Sequence, residues 1–242
     1  MKTSKIEWTD KTWNPITGCT KVSSGCQNCY AEIMANRLKA MSQFKYRNGF
    51  LPTTHEKCLD EPYQWKQPHN IFVCSMSDLF HEAICDAFID KIFETIRNTT
   101  HHNYQILTKR AQRMNAYFST REVPANVWLG VTVDVSSSKS RIEYLRAIPA
   151  KIKFLSCEPL LEDLGTLDFT NINWIIVGGE SGHKARPMKI DWISAIKIQA
   201  DNQGALFFFK QWGTWGSDGI KRSKKANGKM INGKIYQSMP LA

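Results

Sequence analysis

Short apolar runs recur along the chain, and polar or helical stretches separate them. They lie at residues 71–76, 104–107, 127–133, 153–155, 174–177 and 205–209. The runs are rich in β-branched and aromatic residues and show no clean alternation, which is typical of strands buried on both faces. A shorter first strand is predicted at residues 12–16, where Asn14-Pro15 marks its end.

Helical patterns lie between these runs, with apolar residues at three- and four-residue spacing. They cover residues 31–41, 87–98, 138–147 and 191–200, and Asp191 is a predicted N-cap. Strands that alternate with helices imply repeated βαβ units and a parallel sheet. Six or seven units favour a partial or complete α/β barrel over a flat doubly wound sheet, because no Gly-rich dinucleotide motif follows the first strand.

The composition changes after Gln211. Residues 212–242 contain five glycines, a basic run at 221–225 and two Asn-Gly pairs, which are turn signals. We therefore predict a barrel over residues 1–211, with an N-terminal cluster-binding loop, and a basic Gly-rich hairpin or flap over 212–242 on the same domain. The flap either lies over the open face and holds a polyanion or is a solvated tail.

Three of the seven cysteines, Cys19, Cys26 and Cys29, lie in one short loop just before the first helical pattern. Three thiolates leave one coordination position open, and this favours an iron–sulfur cluster. A zinc site is the alternative, although the remaining histidines and cysteines match no finger spacing. Three buried thiols without a metal are the third interpretation.

Polar residues follow the predicted strands in a consistent way. In a barrel of parallel strands the carboxyl ends meet on one face, and that face carries the site. We therefore expect the cysteine loop and these polar residues to meet in space. The residues at strand ends include Ser75, Ser77, Asp78, Thr132, Asp134, Cys157, Glu158 and Glu180.

The formal net charge of +10 favours an acidic partner, with nucleic acid first. No apolar run approaches the roughly 20 residues of a membrane span, and residues 1–10 are too polar for a signal peptide. An odd number of cysteines, three of them clustered, indicates a reducing compartment, so a cytoplasmic protein without membrane contact is expected.

Several motifs together resemble the phage- and prophage-associated three-cysteine proteins of unknown function, which are themselves similar to radical S-adenosylmethionine enzymes. The motifs are the cysteine loop, Ser-Asp-Leu-Phe at 77–80, Leu-Thr-Lys-Arg at 107–110, Trp-Leu-Gly-Val-Thr at 128–132, Ser-Cys-Glu-Pro-Leu-Leu at 156–161 and Gly-Gly-Glu-Ser-Gly at 178–182. The resemblance implies a (βα)6-type barrel and a 4Fe-4S cluster on Cys19, Cys26 and Cys29, with S-adenosylmethionine on the fourth iron.

Further roles are expected if this chemistry holds. Asp78 or Ser77 would take the methionyl ammonium group, and Thr132 or Asp134 the ribose hydroxyls. Tyr30 and Ser75 are further cofactor-binding candidates. The predicted catalytic residues are Cys157, as a hydrogen-atom donor, with Glu158 and Glu180. An electron donor would be a required partner.

Basic and aromatic residues after the strands and in the flap predict a nucleic-acid groove with stacking platforms. They are Lys109, Arg110, Lys210, Trp212, Lys221 and Arg222. The leading hypothesis is thus a radical S-adenosylmethionine-type enzyme that modifies or repairs nucleic acid. The alternatives are a non-catalytic metal-stabilised nucleic-acid-binding protein and a radical enzyme acting on a small molecule or peptide.

Overall fold

The computed structural model describes residues 4 and 6–241. In chain order the strands are β1 (Lys11–Trp13), β2 (Ile16–Thr17), β3 (Thr53–Thr54), β4 (Asn70–Val73), β5 (Asn103–Thr108), β6 (Val127–Thr132), β7 (Ile152–Cys157), β8 (Trp174–Gly178), β9 (Leu206–Gln211), β10 (Met230–Ile231) and β11 (Lys234–Ile235). The α-helices are α1 (Tyr30–Ala40), α2 (Asp86–Asn98), α3 (Ala111–Phe118), α4 (Arg141–Arg146), α5 (Ile190–Asn202) and α6 (Lys224–Asn227).

Seven parallel strands form a curled half-barrel in the order β1-β4-β5-β6-β7-β8-β9. Each strand of this sheet pairs with the strand of the sheet that precedes it in the chain, because every crossover connection places the new strand beside the previous one. The predicted α/β half-barrel of parallel strands is confirmed. The small antiparallel pair of β2 and β3 lies outside the main sheet.

Several boundaries differ from the prediction. The apolar run at 71–76 extends beyond the strand, which ends at Val73. The chain turns away from β4 at Cys74, which has a φ of 62°. Helix α3 was not predicted, although its buried residues Ala111, Met114 and Phe118 have helical spacing. Asp191 is not the N-cap of α5; it lies in the first turn, where its charge favours the helix dipole.

The larger apolar cluster packs between the sheet and its helices. The amphipathic helix α2 contributes Phe88, Ile89 and Ile92 to it, and each of these is buried. A second, smaller cluster fills the inside of the curl and is mostly aromatic. It consists of Trp8, Phe72, Trp128, Phe154, Trp174, Ile176 and Phe208.

Trp174 lies at the centre of this aromatic cluster. Its ring meets those of Trp128 and Phe208 edge to face, with centroids 6.1 and 5.8 Å apart. Such geometry adds to the free energy gained by burial of the rings. The cluster fills the inside of the curl toward the amino ends of the strands.

The C-terminal segment ends in the predicted hairpin. Strands β10 and β11 pair around Asn232 and Gly233, whose φ values of 48° and 75° suit a two-residue turn. The chain then returns to the sheet, where Trp174 Nε1 donates to the carbonyl of Ser238 at 2.9 Å. None of the helices among the described residues has the length and hydropathy that a membrane-spanning segment requires.

Gly130 on β6 provides a direct test of packing inside the curl. A Cβ at this position would lie 2.4 Å from the ring of Phe154. We expect Gly130→Ala to lower the free energy of unfolding by about 1–3 kcal/mol, because buried side chains must shift. Urea unfolding measures this loss. Phe154→Leu in the same chain should recover part of it, and purely additive losses would contradict the contact.

Candidate functional site

A cavity of about 470 Å³ opens at the carboxyl ends of the parallel strands. The cysteine loop covers one side of it, and strand ends from β4 to β9 form the rest of its wall. Its lining includes thirteen of the predicted site residues. These are Cys19, Cys26, Cys29, Tyr30, Ser75, Ser77, Asp78, Lys109, Arg110, Thr132, Glu158, Glu180 and Lys210.

The three cysteines lie in a loop that is ordered by local structure. A 3₁₀ turn spans Ser24–Cys26, and Cys29 occupies the N-cap of α1. Burial, with the nearby Asp78 carboxylate, raises the pKa of the Cys19 thiol to about 11. Burial also acts on Cys26, but the charge of Lys109 and hydrogen bonds with Val22 and Ser23 outweigh it and lower the pKa of that thiol.

Asp78 holds the first part of the loop through Arg110. Its carboxylate accepts hydrogen bonds from Thr108 Oγ1 at 2.6 Å and from the Arg110 guanidinium at 3.2 Å. Backbone N–H groups of Phe80 and Lys109 complete its set of donors. Protein donors therefore occupy both oxygens of Asp78.

Arg110 connects Asp78 to the cysteine loop. Its guanidinium donates to Cys19 Sγ at 3.4 Å and to Thr20 Oγ1 at 2.9 Å. It also donates to Glu82 and is itself buried. Arg110 was predicted to bind nucleic acid. Its side chain is buried and engaged by these partners, although it also lines the cavity, and the nucleic-acid role stays a prediction.

Asp134 holds the middle of the loop from the end of β6. Ser23 Oγ donates to its carboxylate at 2.6 Å, and Ser138 Oγ donates to the other oxygen at 2.9 Å. A Cβ on Gly25 would lie 2.0 Å from Asp134 Oδ2, so the loop backbone passes directly over the carboxylate. Asp134 is fully buried beneath the loop and is not part of the cavity lining.

Glu180 holds the end of the loop from beyond β8. Asn28 Nδ2 donates to its carboxylate at 3.1 Å, and Arg186 donates to both of its oxygens. Burial raises the pKa of Glu180, but hydrogen bonds from Arg186 and Asn28 outweigh this effect and lower it. Glu180 thus forms part of the cavity wall and also fixes the residue next to Cys29.

Three buried carboxylates from different strand ends thus position one loop. Sequence reasoning had selected all three acids but assigned them to cofactor or catalysis, and it did not identify Ser23 and Asn28 as site residues. The only sign of this role in the sequence was that Ser23 and Asn28 lie between the cysteines of the loop. The role of Arg186 as the partner of Glu180 was not predicted either. Asn14, interpreted as the end of a strand, also serves the site, because its Oδ1 accepts from Ser75 Oγ and from the Met76 N–H.

The remaining cofactor candidates lie along the same wall. Tyr30 Oη donates to the carbonyl of Ser75, and Ser77 Oγ donates to the carbonyl of Ile16 at 2.9 Å. Glu158 and Lys210 form an ion pair of 2.8 Å across β8. Each of these residues lines the cavity, and their assigned roles stay predictions.

Five predicted site residues lie outside the cavity lining: Asp134, Cys157, Trp212, Lys221 and Arg222. Cys157 belongs to the cluster between sheet and helices, because side chains alternate along β7 and its neighbours Ser156 and Glu158 take the inner face. Burial raises the pKa of Cys157 to about 12. A thiol on the far side of the sheet cannot return hydrogen to a substrate in the cavity.

Trp212 is 2% exposed and packs against Phe209, so the expectation of an exposed stacking platform is wrong. Its indole N–H donates to the carbonyl of Met230 and fastens the flap. Lys221 and Arg222 are exposed but lie outside the cavity lining. Lys221 covers the ring of Trp215, and Arg222 pairs with Asp218 at 2.7 Å.

The thiol donors suit an iron–sulfur cluster. All three come from one loop and line one cavity, and Cys19 and Cys26 lie beside the Arg110 guanidinium and the Ser23 hydroxyl. Soft thiolates are the usual ligands of such clusters. Within residues 4 and 6–241, no three His, Cys, Asp or Glu side chains are grouped so that they hold a single metal ion.

The fold and site define a class of protein: a parallel half-barrel in which a three-cysteine loop faces a polar cavity at the carboxyl ends of the strands. A model of the family described as "Protein of unknown function (DUF5131)" matches residues 3–240. The chain therefore belongs to the DUF5131 family. No curated protein matches the chain.

Two similar solved structures are variants of spore photoproduct lyase. One, described with a dinucleoside spore photoproduct, has 9% sequence identity and a TM-score of 0.47. The other, with bound AdoMet and the dinucleoside spore photoproduct, has 10% identity and a TM-score of 0.46. Each alignment covers 83% of this chain, which spans 63% of the length of either lyase chain.

The carboxylate beneath the loop predicts a pH-dependent contribution to stability. Burial raises the pKa of Asp134, but Lys109, Ser23, Ser138 and Arg141 together lower it below its ordinary value of 3.8. Asp134→Asn should cost about 3 kcal/mol of unfolding free energy near pH 7, since a buried charge network loses its anion.

This difference between wild type and variant should hold above about pH 5 and shrink as the pH falls below about 4, because the unfolded carboxyl group takes up its proton first. Urea unfolding at a series of pH values measures it. A difference that is constant down to pH 3 would contradict the assignment, and Asp201→Asn on the exposed face of α5 is the control.

Proposed function

We propose that this protein is an iron–sulfur, S-adenosylmethionine-binding enzyme of the radical type that modifies or repairs nucleic acid. The observation that carries the proposal is the meeting of the three-cysteine loop with the polar strand ends around one cavity. Five strands, β4, β5, β6, β7 and β9, contribute residues to this cavity, and Gly179 and Glu180 follow β8 directly, so a cofactor and a substrate would be held by the same rigid sheet.

Cys19, Cys26 and Cys29 would hold the cluster. When bound, such a cluster supplies the one-electron reductive cleavage of S-adenosylmethionine, which yields a radical able to take hydrogen from a substrate. The chain itself binds, orients and shields. Arg110, beside Cys19 Sγ, places a positive charge that partly offsets the effect of burial and Asp78 on the pKa of that thiol.

Cofactor binding is assigned to the wall between β4 and β6. Ser75, Ser77 and Thr132 line this part of the cavity. The hydroxyl of Thr132 has no hydrogen-bond partner among the described residues, so it is free to meet a ribose hydroxyl, as the sequence predicts. The apolar floor formed by Trp8 and Phe72 supports the exclusion of water from the reaction.

Nucleic acid as the substrate is supported by the exposed basic residues of the flap. Lys224 in α6 borders the cavity, and Lys225 and Lys221 are exposed nearby in the chain. With the net charge of +10, this arrangement suits a polyanion that approaches the cavity mouth.

Cofactor cleavage tests the enzyme proposal directly. Protein reconstituted anaerobically with iron and sulfide is expected to convert S-adenosylmethionine to 5′-deoxyadenosine and methionine when dithionite is added. Cys26→Ser should abolish both the cluster absorbance and the product, because the cluster loses one of its three protein ligands. Product is measured by chromatography and mass spectrometry.

The matched control is Cys85→Ser, because Cys85 is exposed and lies outside the cavity lining. It should retain wild-type iron content and product. A brown wild-type protein that forms no 5′-deoxyadenosine would leave a metal-stabilised binding protein instead. Zinc in place of iron would overturn the enzyme proposal.

Salt dependence tests the nucleic-acid proposal. Fluorescence anisotropy with a labelled single-stranded oligonucleotide should show an affinity that falls steeply as salt rises from about 50 to about 200 mM. Lys224→Ala with Lys225→Ala should reduce the slope of log K against log salt by about 0.7 per lysine.

Lys57→Ala with Lys66→Ala removes the same charge from exposed positions outside the cavity lining. This control should change the slope less. Binding that is absent, or equal at both salt concentrations, would leave an enzyme for a small molecule or peptide if cofactor cleavage is nevertheless observed.

A further inference from the structure

The inner wall of the cavity between β7 and β9 carries polar groups that the proposed cofactor site does not use. Side chains of one face recur at every second residue of a strand. Phe154, Ser156 and Glu158 therefore share the inner face of β7 and its end, and Phe208 and Lys210 share that of β9. The two phenylalanines belong to the aromatic cluster at the floor.

The Glu158–Lys210 ion pair is built into this wall. The two side chains are 20% and 16% exposed and meet at 2.8 Å. They reach each other across β8 because Gly178 leaves the space between them open: a Cβ there would lie 3.1 Å from Glu158 Oε1. The pair leaves one carboxylate oxygen and two ammonium hydrogens without a protein partner in the described chain.

Further polar groups that line the cavity also lack partners. The Ser156 hydroxyl, on the same strand face as Glu158, makes no hydrogen bond to another described residue. Trp8 Nε1 and Gln211 Oε1 are buried and have no hydrogen-bond partner within the described residues. Both residues line the cavity, at 3% and 5% exposure. Buried polar groups without partners are costly, so a ligand that satisfied them would be favoured.

The opposite wall is apolar apart from the Trp8 indole N–H. Trp8, Phe72 and Leu107 line it and continue into the aromatic floor. A ligand that suits both walls has flat apolar faces and an edge with hydrogen-bond donors and acceptors side by side. A nucleobase has this combination, since each base has a π-face for stacking and a polar edge.

We propose that the space between the Glu158–Lys210 pair and the Trp8–Phe72–Leu107 wall is a pocket for a single nucleobase, taken out of its strand. The inference deepens the proposed function by naming the part of the nucleic acid that enters the cavity. Lys210 donates to a ring or exocyclic acceptor of the base, and the free oxygen of Glu158 accepts from an adjacent N–H. Removal of a base from its stack is the usual route to chemistry on it.

Ligand binding to the full chain, without cluster or S-adenosylmethionine, tests the pocket separately from the enzyme proposal. The probes are the four 2′-deoxynucleosides, observed by saturation-transfer NMR on their ring protons and by tryptophan fluorescence. At least one nucleoside is expected to bind. Lys210→Met and Glu158→Gln should each weaken it about tenfold or more, because a charge-assisted hydrogen bond to the base is lost.

The matched control uses an ion pair of the same residue types outside the cavity lining. Lys91 and Glu56 meet at 2.9 Å with both side chains exposed, so Lys91→Met and Glu56→Gln should leave nucleoside affinity unchanged. Ser156→Ala, which removes only one hydroxyl, provides a variant that keeps the ion pair and the fold. It should weaken binding less than either ion-pair variant.

Three results would overturn the pocket: no nucleoside binds, binding survives both ion-pair variants, or ribose 5-phosphate competes as well as the nucleoside. Thermal unfolding of each variant shows whether it is folded. Formation of 5′-deoxyadenosine by an enzyme that binds no nucleoside would retain the radical proposal and remove this one. Nucleoside binding without cofactor cleavage would do the reverse.

Discussion

The attachment of the cysteine loop to three buried carboxylates is the constraint on which the site depends. Asp78, Asp134 and Glu180 come from the ends of β4, β6 and β8, and they reach the loop through Arg110, Ser23 and Asn28. Buried acids are costly unless they are fully hydrogen-bonded, and here the donors come from the sheet as well as from the loop. The loop is therefore positioned relative to the strand ends, and the thiols face the same cavity as the cofactor and substrate candidates.

The curl of the sheet determines how deep that cavity is. Rings of Trp8, Phe154 and Trp174 fill the inside at the amino ends of the strands, and Gly130 gives one of them the room it needs. The cavity lies near the carboxyl ends, where the inner-face side chains change from Phe154 to Ser156 on β7 and from Phe208 to Lys210 on β9. The cavity thus combines a rigid apolar floor with a polar rim, and this combination underlies both proposals.

Much of the fold was predictable, because buried parallel strands leave continuous apolar runs at regular intervals. The meeting of polar strand ends with Cys19, Cys26 and Cys29 was also predictable, since parallel topology brings carboxyl ends together. Side-chain partners were not. Cys157 and Glu158 both follow the apolar run of β7, yet their side chains lie on opposite faces of the sheet. A shift of one residue in the strand would exchange the two faces. Trp212 is of a residue type that often stacks on nucleic-acid bases, but here it contacts Phe209 and Met230 and holds the flap in place.

The three attachments join residues that are far apart in the sequence, and this affects the order of folding. Cys19 and Arg110 are separated by 91 residues, Ser23 and Asp134 by 111, and Asn28 and Glu180 by 152. During synthesis the thiols emerge first, and the last of their anchors is added only when three quarters of the chain exists. Contacts of such sequence separation form late. The cysteines accordingly pass through a period in which they are accessible and unrestrained, and their final arrangement is reached only after closure of the sheet.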